Sequence, residues 1–272
     1  MEYRYLGPTG MKVSLMGLGN MMNTYEEKDE AMFTESLKVA LDAGVNYLDT
    51  AEMYGFGAAE SILGRSLKKL EVPRKDIVVS NKVFFGTYGG PVNTTGLSRK
   101  HIIEATEVGL ERLQLDYVDI VFAHRYDIYT PLEEQCRAFN WLIEQGKALY
   151  WGTSEWTCDM VTRATELCDR KGWHRPVAEQ SEYHCLARQK FEETNRPLYE
   201  KYSYGTTIWS PLCQGLLAGR YNDGVIPEGT RMNNPMFYNF IWKRYMEPEE
   251  KKAKNLKLIN GVADYAKELG CT

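Results

Sequence analysis

The sequence predicts an α/β protein whose strands wind in one direction into a (β/α) barrel, and three observations predict it. Short apolar, β-branched runs recur at about 30 to 40 residues, the length of a strand-and-helix unit. Segments with helical periodicity fill the gaps between them, which implies a parallel sheet. Polar residues stand at the C-terminal ends of successive runs: Asp49, Lys82, His124, Ser154, Gln180 and Ser210. In a barrel those ends converge on one mouth, where active sites are built. A doubly wound nucleotide-binding sheet is the competing arrangement. It is disfavoured because KVSLMGLGNMMN carries only Gly17 and Gly19 and no GxGxxG.

The runs are KVSLMGLG from Lys12, VNYLDT from Val45, DIVVSNKV from Asp76, YVDIVFAH from Tyr117, ALYWGTS from Ala148, PVAEQSEY from Pro176 and GTTIWSPL from Gly205. Between the first two, Met32, Phe33, Ser36, Leu37, Ala40 and Leu41 make one helical stripe, and Gly44 follows as a C-terminal stop. Ser98 occupies an N-cap position ahead of Ile102, Ile103, Ala105, Thr106 and Leu110. Pro131 and Leu132 open a third helix that runs through Ile143 to a stop at Gly146. Cys158 to Arg170 makes a fourth, and the pattern from Glu249 to Leu269 a last one before a glycine. The expected architecture is a single barrel domain over residues 1–272 with seven barrel strands, lacking the eighth strand and the final helices.

Composition narrows the function classes. The 272 residues are 43% hydrophobic and 26% charged, an ordinary globular balance with enough apolar material for a sizeable core. With 33 basic and 37 acidic residues the net charge is −4, which gives no electrostatic reason to expect nucleic acid or an anionic membrane surface. Cys136, Cys158, Cys168, Cys185, Cys213 and Cys271 form no CxxC pair, so reduced thiols are expected and no metal site. The N-terminal MEYRYLGPTG has no apolar signal core, and no run approaches the ~18 apolar residues of a membrane span. A cytoplasmic protein without membrane insertion is expected.

The stretch NYLDTAEMYG poses the chemical question, because Asp49 ends a buried strand and a buried carboxylate needs a cationic partner. Lys82, at the end of DIVVSNKV, points into the same mouth. An ammonium beside Tyr54 favours the phenolate and is expected to lower the pKa of that phenol. A tyrosine so tuned exchanges a proton at neutral pH, and His124 is placed to hydrogen-bond a substrate oxygen. Taken singly, Asp49 fits a cap on the next segment, Lys82 a side chain reaching solvent, Tyr54 the core and His124 a satisfied buried histidine; taken together at one mouth, the four suit carbonyl reduction. His101, His174 and His184 are expected in surface or structural roles. Trp151 and Trp156 fit either a pocket wall or the core, and Trp209, Met53, Tyr88 and Phe85 suggest an apolar, aromatic pocket.

Several segments carry a resemblance: NYLDTAEMYG, VVSNKVF, GLSRKHIIEATEVGLERLQLDYVDIVFAHR, YWGTSEW, AEQSEYH and TIWSPLCQGLLAGRY. From about Tyr3 onward the chain resembles the aldo-keto reductases, and within them the branch containing the voltage-gated potassium-channel β subunits. The resemblance implies a (β/α)8 barrel, or TIM barrel, that binds NADPH and reduces aldehydes or ketones, with Asp49, Tyr54, Lys82 and His124 matching the catalytic tetrad. Animal channel subunits carry Asn at the histidine position, so His124 is the more enzyme-like choice. For the cofactor it implies Ser154 and Gln180 at the nicotinamide carboxamide, Asn20 and Met21 along the nicotinamide side, and Asp49 beside them. Trp209, Ser210, Pro211, Leu212, Cys213, Gln214 and Gly215 match the pyrophosphate loop, with Arg220 and Arg231 as counter-charges. Glu155 departs from the branch, which has Arg after the serine.

Two functions of different class follow as expectations. One is an NADPH-dependent reductase acting on a small carbonyl substrate. The other is a non-catalytic structural or regulatory subunit, partnered by a channel or a scaffold protein and assembled as a homo-oligomer, for which the channel branch suggests a tetramer.

Overall fold

The computed structural model describes residues 1–24, 26–87 and 89–271, with the backbone alone at residue 27. The chain forms two compact units, residues 1–180 with 195–207, and residues 181–194 with 208–272.

The first unit opens with a hairpin that the sequence reading did not anticipate. Strands β1 (Tyr3–Tyr5) and β2 (Lys12–Ser14) pair antiparallel, so the run from Lys12 splits and only Gly17–Gly19 becomes the first barrel strand, β3. The chain turns at Gly7, whose φ is +55° and where a Cβ would stand 2.3 Å from the amide nitrogen of Gly205. Only glycine fits there.

Strands β4 (Tyr47–Asp49), β5 (Val78–Val83), β6 (Val118–Ala123), β7 (Ala148–Ser154), β8 (Ala178–Glu182) and β9 (Gly205–Trp209) follow. They lie in one seven-stranded sheet in chain order from β3 to β9, with β3 through β8 paired parallel. A doubly wound sheet would reverse its strand order at a switch point. Unbroken sequential order is that of a (β/α) barrel, here with seven strands among the described residues against eight in a closed barrel.

Helices α1 (Glu27–Asp42), α2 (Ala58–Lys69), α3 (Arg99–Leu113), α4 (Leu132–Glu144), α5 (Cys158–Lys171) and α6 (Arg196–Tyr202) follow the strands. The Ser98 hydroxyl accepts from the amide of His101 at 3.2 Å and starts α3 where expected. Thr157 caps α5 by accepting from Met160 N, and left-handed Gly172 stops it. The stripe expected on α1 is corrected: Phe33, Thr34 and Leu37 are buried, whereas Met32 is 64% exposed and Ser36 faces solvent. A helix laid on a sheet buries a narrower arc than the six positions read from periodicity.

The main core lies between these helices and the sheet. A smaller core fills the sheet's inner side, where Leu6, Met11 and Val13 of the hairpin pack with Tyr47, Val78, Ile120 and Phe122. The hairpin thus closes the end where the strands begin.

The second unit has its own core of Cys213, Leu216, Tyr221, Met232, Phe237, Ile241, Trp242, Tyr245, Met246 and Ile259. It contains the short helices α7 (Pro235–Phe237) and α8 (Lys243–Met246) and the long α9 (Glu249–Glu268), which stops one residue short of the expected Leu269.

Candidate active site

Alternation along β5 decides which of its side chains reach the inside of the sheet. Ser80 and Lys82 share one face, and Asn81 turns the other way to donate to Glu60 at 2.8 Å. Parallel register sets Asp49 of β4 opposite Ser80. The Ser80 hydroxyl donates to Asp49 Oδ1 at 2.6 Å, and Gln180 Nε2 reaches the same oxygen at 3.2 Å while donating to Thr207 Oγ1 at 3.0 Å. The other oxygen, Oδ2, accepts from Lys82 Nζ. Asp49, half-buried, thus pairs with the ammonium of Lys82.

Lys82 has no exposed surface, and its ammonium also donates to the Thr50 carbonyl at 2.8 Å. Burial works against the charged form, but Asp49, with Tyr54 adding to it, outweighs that and holds the pKa above the ordinary lysine value. Tyr54 sits half-buried in the turn after β4, with Lys82 Nζ 4.7 Å from its ring centroid. The expected lowering of its pKa is corrected. Burial is the largest influence and raises it, Lys82 pulls it down by less, and the net direction is upward.

His124 follows β6 and is nearly buried, its ring edge-on to Tyr54 with centroids 6.0 Å apart. Burial first, then the charges of Lys82 and Arg125, push its pKa well below the ordinary 6.5, so the imidazole is neutral at pH 7. Its Nδ1 has no hydrogen-bond partner among the described residues.

The remaining expected residues fall as follows. Ser154 ends β7 opposite Gln180, which lies in the middle of β8 and not at its end as expected, and the Ser154 hydroxyl donates to the Gln180 carbonyl at 3.0 Å. Asn20 is buried and Met21 exposed at the end of β3. Trp209 to Gly215 belong to the second unit, where Trp209 stacks on Phe240 and Cys213 turns its thiol into the core. Burial pushes that thiol up to about 12. Arg231 Nη1 donates to Gln214 Oε1 at 2.6 Å, and Arg220 is exposed. Met53 is half-buried, Phe85 stands against His124, and Tyr88 lies outside the described residues.

Trp151 and Trp156 resolve to the core. Trp151 stacks on Phe139 and donates its indole N–H to the His174 carbonyl at 2.7 Å, and Trp156 packs edge-on to Tyr126. His174 is exposed, whereas His101 and His184 are buried on carboxylates, Glu52 and Glu182. Arg125 was not singled out from the sequence, yet its guanidinium lies 5.6 Å from the Phe85 ring centroid and 3.4 Å from Ser154 Oγ. Its place directly after His124 at a strand end was the available signal.

Comparison with known proteins gives the family. The Aldo/keto reductase family profile matches residues 15–272. A candidate voltage-gated potassium channel β subunit of Schizosaccharomyces pombe is 42% identical over 271 residues, covering 99% of this chain and 77% of that protein. Similarly named proteins of Arabidopsis thaliana and Oryza sativa subsp. japonica are 41% and 40% identical, covering 100% and 99% of this chain and 80% of each of theirs. A parallel sheet in barrel order, the grouped Asp49, Tyr54, Lys82 and His124, and a profile match along nearly the whole chain give one result: the chain belongs to the aldo/keto reductase family.

Proposed function

We propose that the chain is an NADPH-dependent carbonyl reductase that converts aldehydes or ketones to alcohols, with Tyr54 giving up the proton. The observation that carries this reading is the charged Lys82 held by Asp49 beside a still-protonated Tyr54 and a neutral His124. A general acid must arrive with its proton, and burial keeps it on Tyr54 through neutral pH. As that proton leaves, the phenolate forms beside a fixed ammonium, which stabilises charge at the step where it develops. His124, being neutral, can hydrogen-bond the carbonyl oxygen without competing as an acid. The hydride for the carbonyl carbon is what NADPH supplies when bound.

The side chains suit that cofactor chemically. Asn20 Oδ1 is a buried acceptor without a partner among the described residues, which matches a carboxamide NH2, and Ser154 and Gln180 add a hydroxyl and an amide. On the second unit, Ser210, Cys213 and Gln214 have φ of 54°, 47° and 54°. Left-handed residues of this kind are a feature of phosphate-binding turns, and within the same unit Arg231 adds a fixed cation. Glu155 faces a cation of its own, since its charge acts on the Arg125 guanidinium.

Tyr54→Phe tests the reading. Turnover of a generic aromatic aldehyde is expected to fall by about 10²–10⁴-fold, with NADPH still quenching tryptophan fluorescence and the fold intact. Unchanged turnover ends the proposal. Wild-type reduction should decline only in alkali, as the pH rises through a Tyr54 pKa above its ordinary 10.

A second reading rests on the relatives named as channel β subunits at 40–42% identity. In it the chain is a cytoplasmic regulatory subunit that assembles, as a tetramer, with a channel's cytoplasmic segment. Sedimentation of the purified protein as an active monomer that ignores such a segment would count decisively against it.

A further inference from the structure

Glu52 has no part in the mechanism above, yet its carboxylate is 3% exposed and intensively used. Its Oε1 accepts from the backbone amides of Phe84 and Gly86, at 2.5 Å and 2.8 Å. These are the two amides that flank Phe85. The same oxygen lies 3.3 Å from Nε2 of His101, itself 4% exposed in the first turn of α3. Glu52 is anchored in turn, because its own N–H donates to the carbonyl of Lys82 at 3.2 Å. The turn has little freedom otherwise. Gly86 has φ +67°, and a Cβ there would meet the Thr94 carbonyl oxygen at 2.0 Å.

What the turn presents is the Phe85 ring. It stands edge-on to His124 with centroids 5.1 Å apart and is itself 38% exposed, so it forms a wall between the imidazole and water. We propose that Glu52, backed by His101, is a positioning residue that fixes Phe85 against His124 and so sets the width of the substrate pocket on that side. The proposal takes the pocket from the reductase reading, but the geometry it invokes exists in the protein alone.

The test uses the full chain without cofactor or substrate. Lys82 and Arg125 face His124 as cations and Tyr54 as a neutral phenol, with Asp49 and Glu155 behind the two cations. None of these is altered by substituting Glu52. Glu52→Ala, folded by circular dichroism, should free the turn, admit water to His124 and raise its NMR-measured pKa toward 6.5 by about one pH unit or more. Glu52→Gln keeps an acceptor for both amides and should leave His124 close to wild type. With an aromatic aldehyde, Glu52→Ala should raise KM about tenfold or more while kcat changes less.

An unchanged His124 titration in folded Glu52→Ala overturns the proposal. Should that variant fail to fold, His101→Gln is read in the same way, with a smaller rise expected and no rise overturning it. A protein that reduces no carbonyl while His124 shifts as described would sink the reductase reading and leave the positioning role standing.

Discussion

Lys82 brings an ammonium to a fully buried position, and its neighbours explain how it stays there. Asp49 and the Thr50 carbonyl accept its hydrogen bonds, while Ser80 and Gln180 satisfy the remaining oxygen of Asp49. Removing one partner of such a pair leaves an uncompensated charge, whereas removing both does not. Lys82→Met should therefore cost about 3–5 kcal/mol, read from urea unfolding, and Asp49→Asn with Lys82→Met should recover a large part of that loss. A double variant as unstable as Lys82→Met alone would show that an uncompensated Asp49 charge is not the source of the loss. The pairing was legible in the sequence because both residues end strands one unit apart. The direction of the Tyr54 pKa was not, since it depends on how far burial outweighs one ammonium at 4.7 Å from the ring.

At the level of elements, periodicity and caps placed α1, α3, α4, α5 and α9 and left α2 and α6 unread, and the errors in the strands share a cause. Ser98 and Gly172 act through hydrogen bonds and dihedrals of their own segments, so local reading finds them. The division of KVSLMGLG into a hairpin strand and a barrel strand depends on β1, which pairs with only its first three residues. Gly7 shows the same dependence on distant chain, because its neighbour is Gly205. Gly7→Ala would combine a left-handed backbone with a clash against Gly205 N and should lower stability by at least about 2 kcal/mol. A urea midpoint within error of wild type would refute that account of the hairpin turn.

Across the whole molecule, each unit buries its own apolar cluster, and the seven-stranded sheet of the first has unequal strands. Every residue of β5 and β6 is buried, and both strands are paired on each side. β3 stands at one end of the sheet order with two of its three residues exposed. Amide exchange should therefore be at least roughly a hundredfold slower in β5 and β6 than in β3. Comparable protection would mean that β3 is covered in solution, as assembly with another chain would achieve.

The sequence by itself determined the order of the seven barrel strands and of α1, α3, α4, α5 and α9, the placement of Asp49, Lys82, His124 and Ser154 at or beside strand ends, and the family. These follow from periodicity, caps and motifs, which are properties of short segments. Only the tertiary structure decided that Trp151 and Trp156 are core, that Arg125 stands beside Ser154 and Phe85, and that Glu52 and His101 grip the turn carrying Phe85. Each of these is a meeting of residues far apart in the chain, and burial and charge act through such meetings.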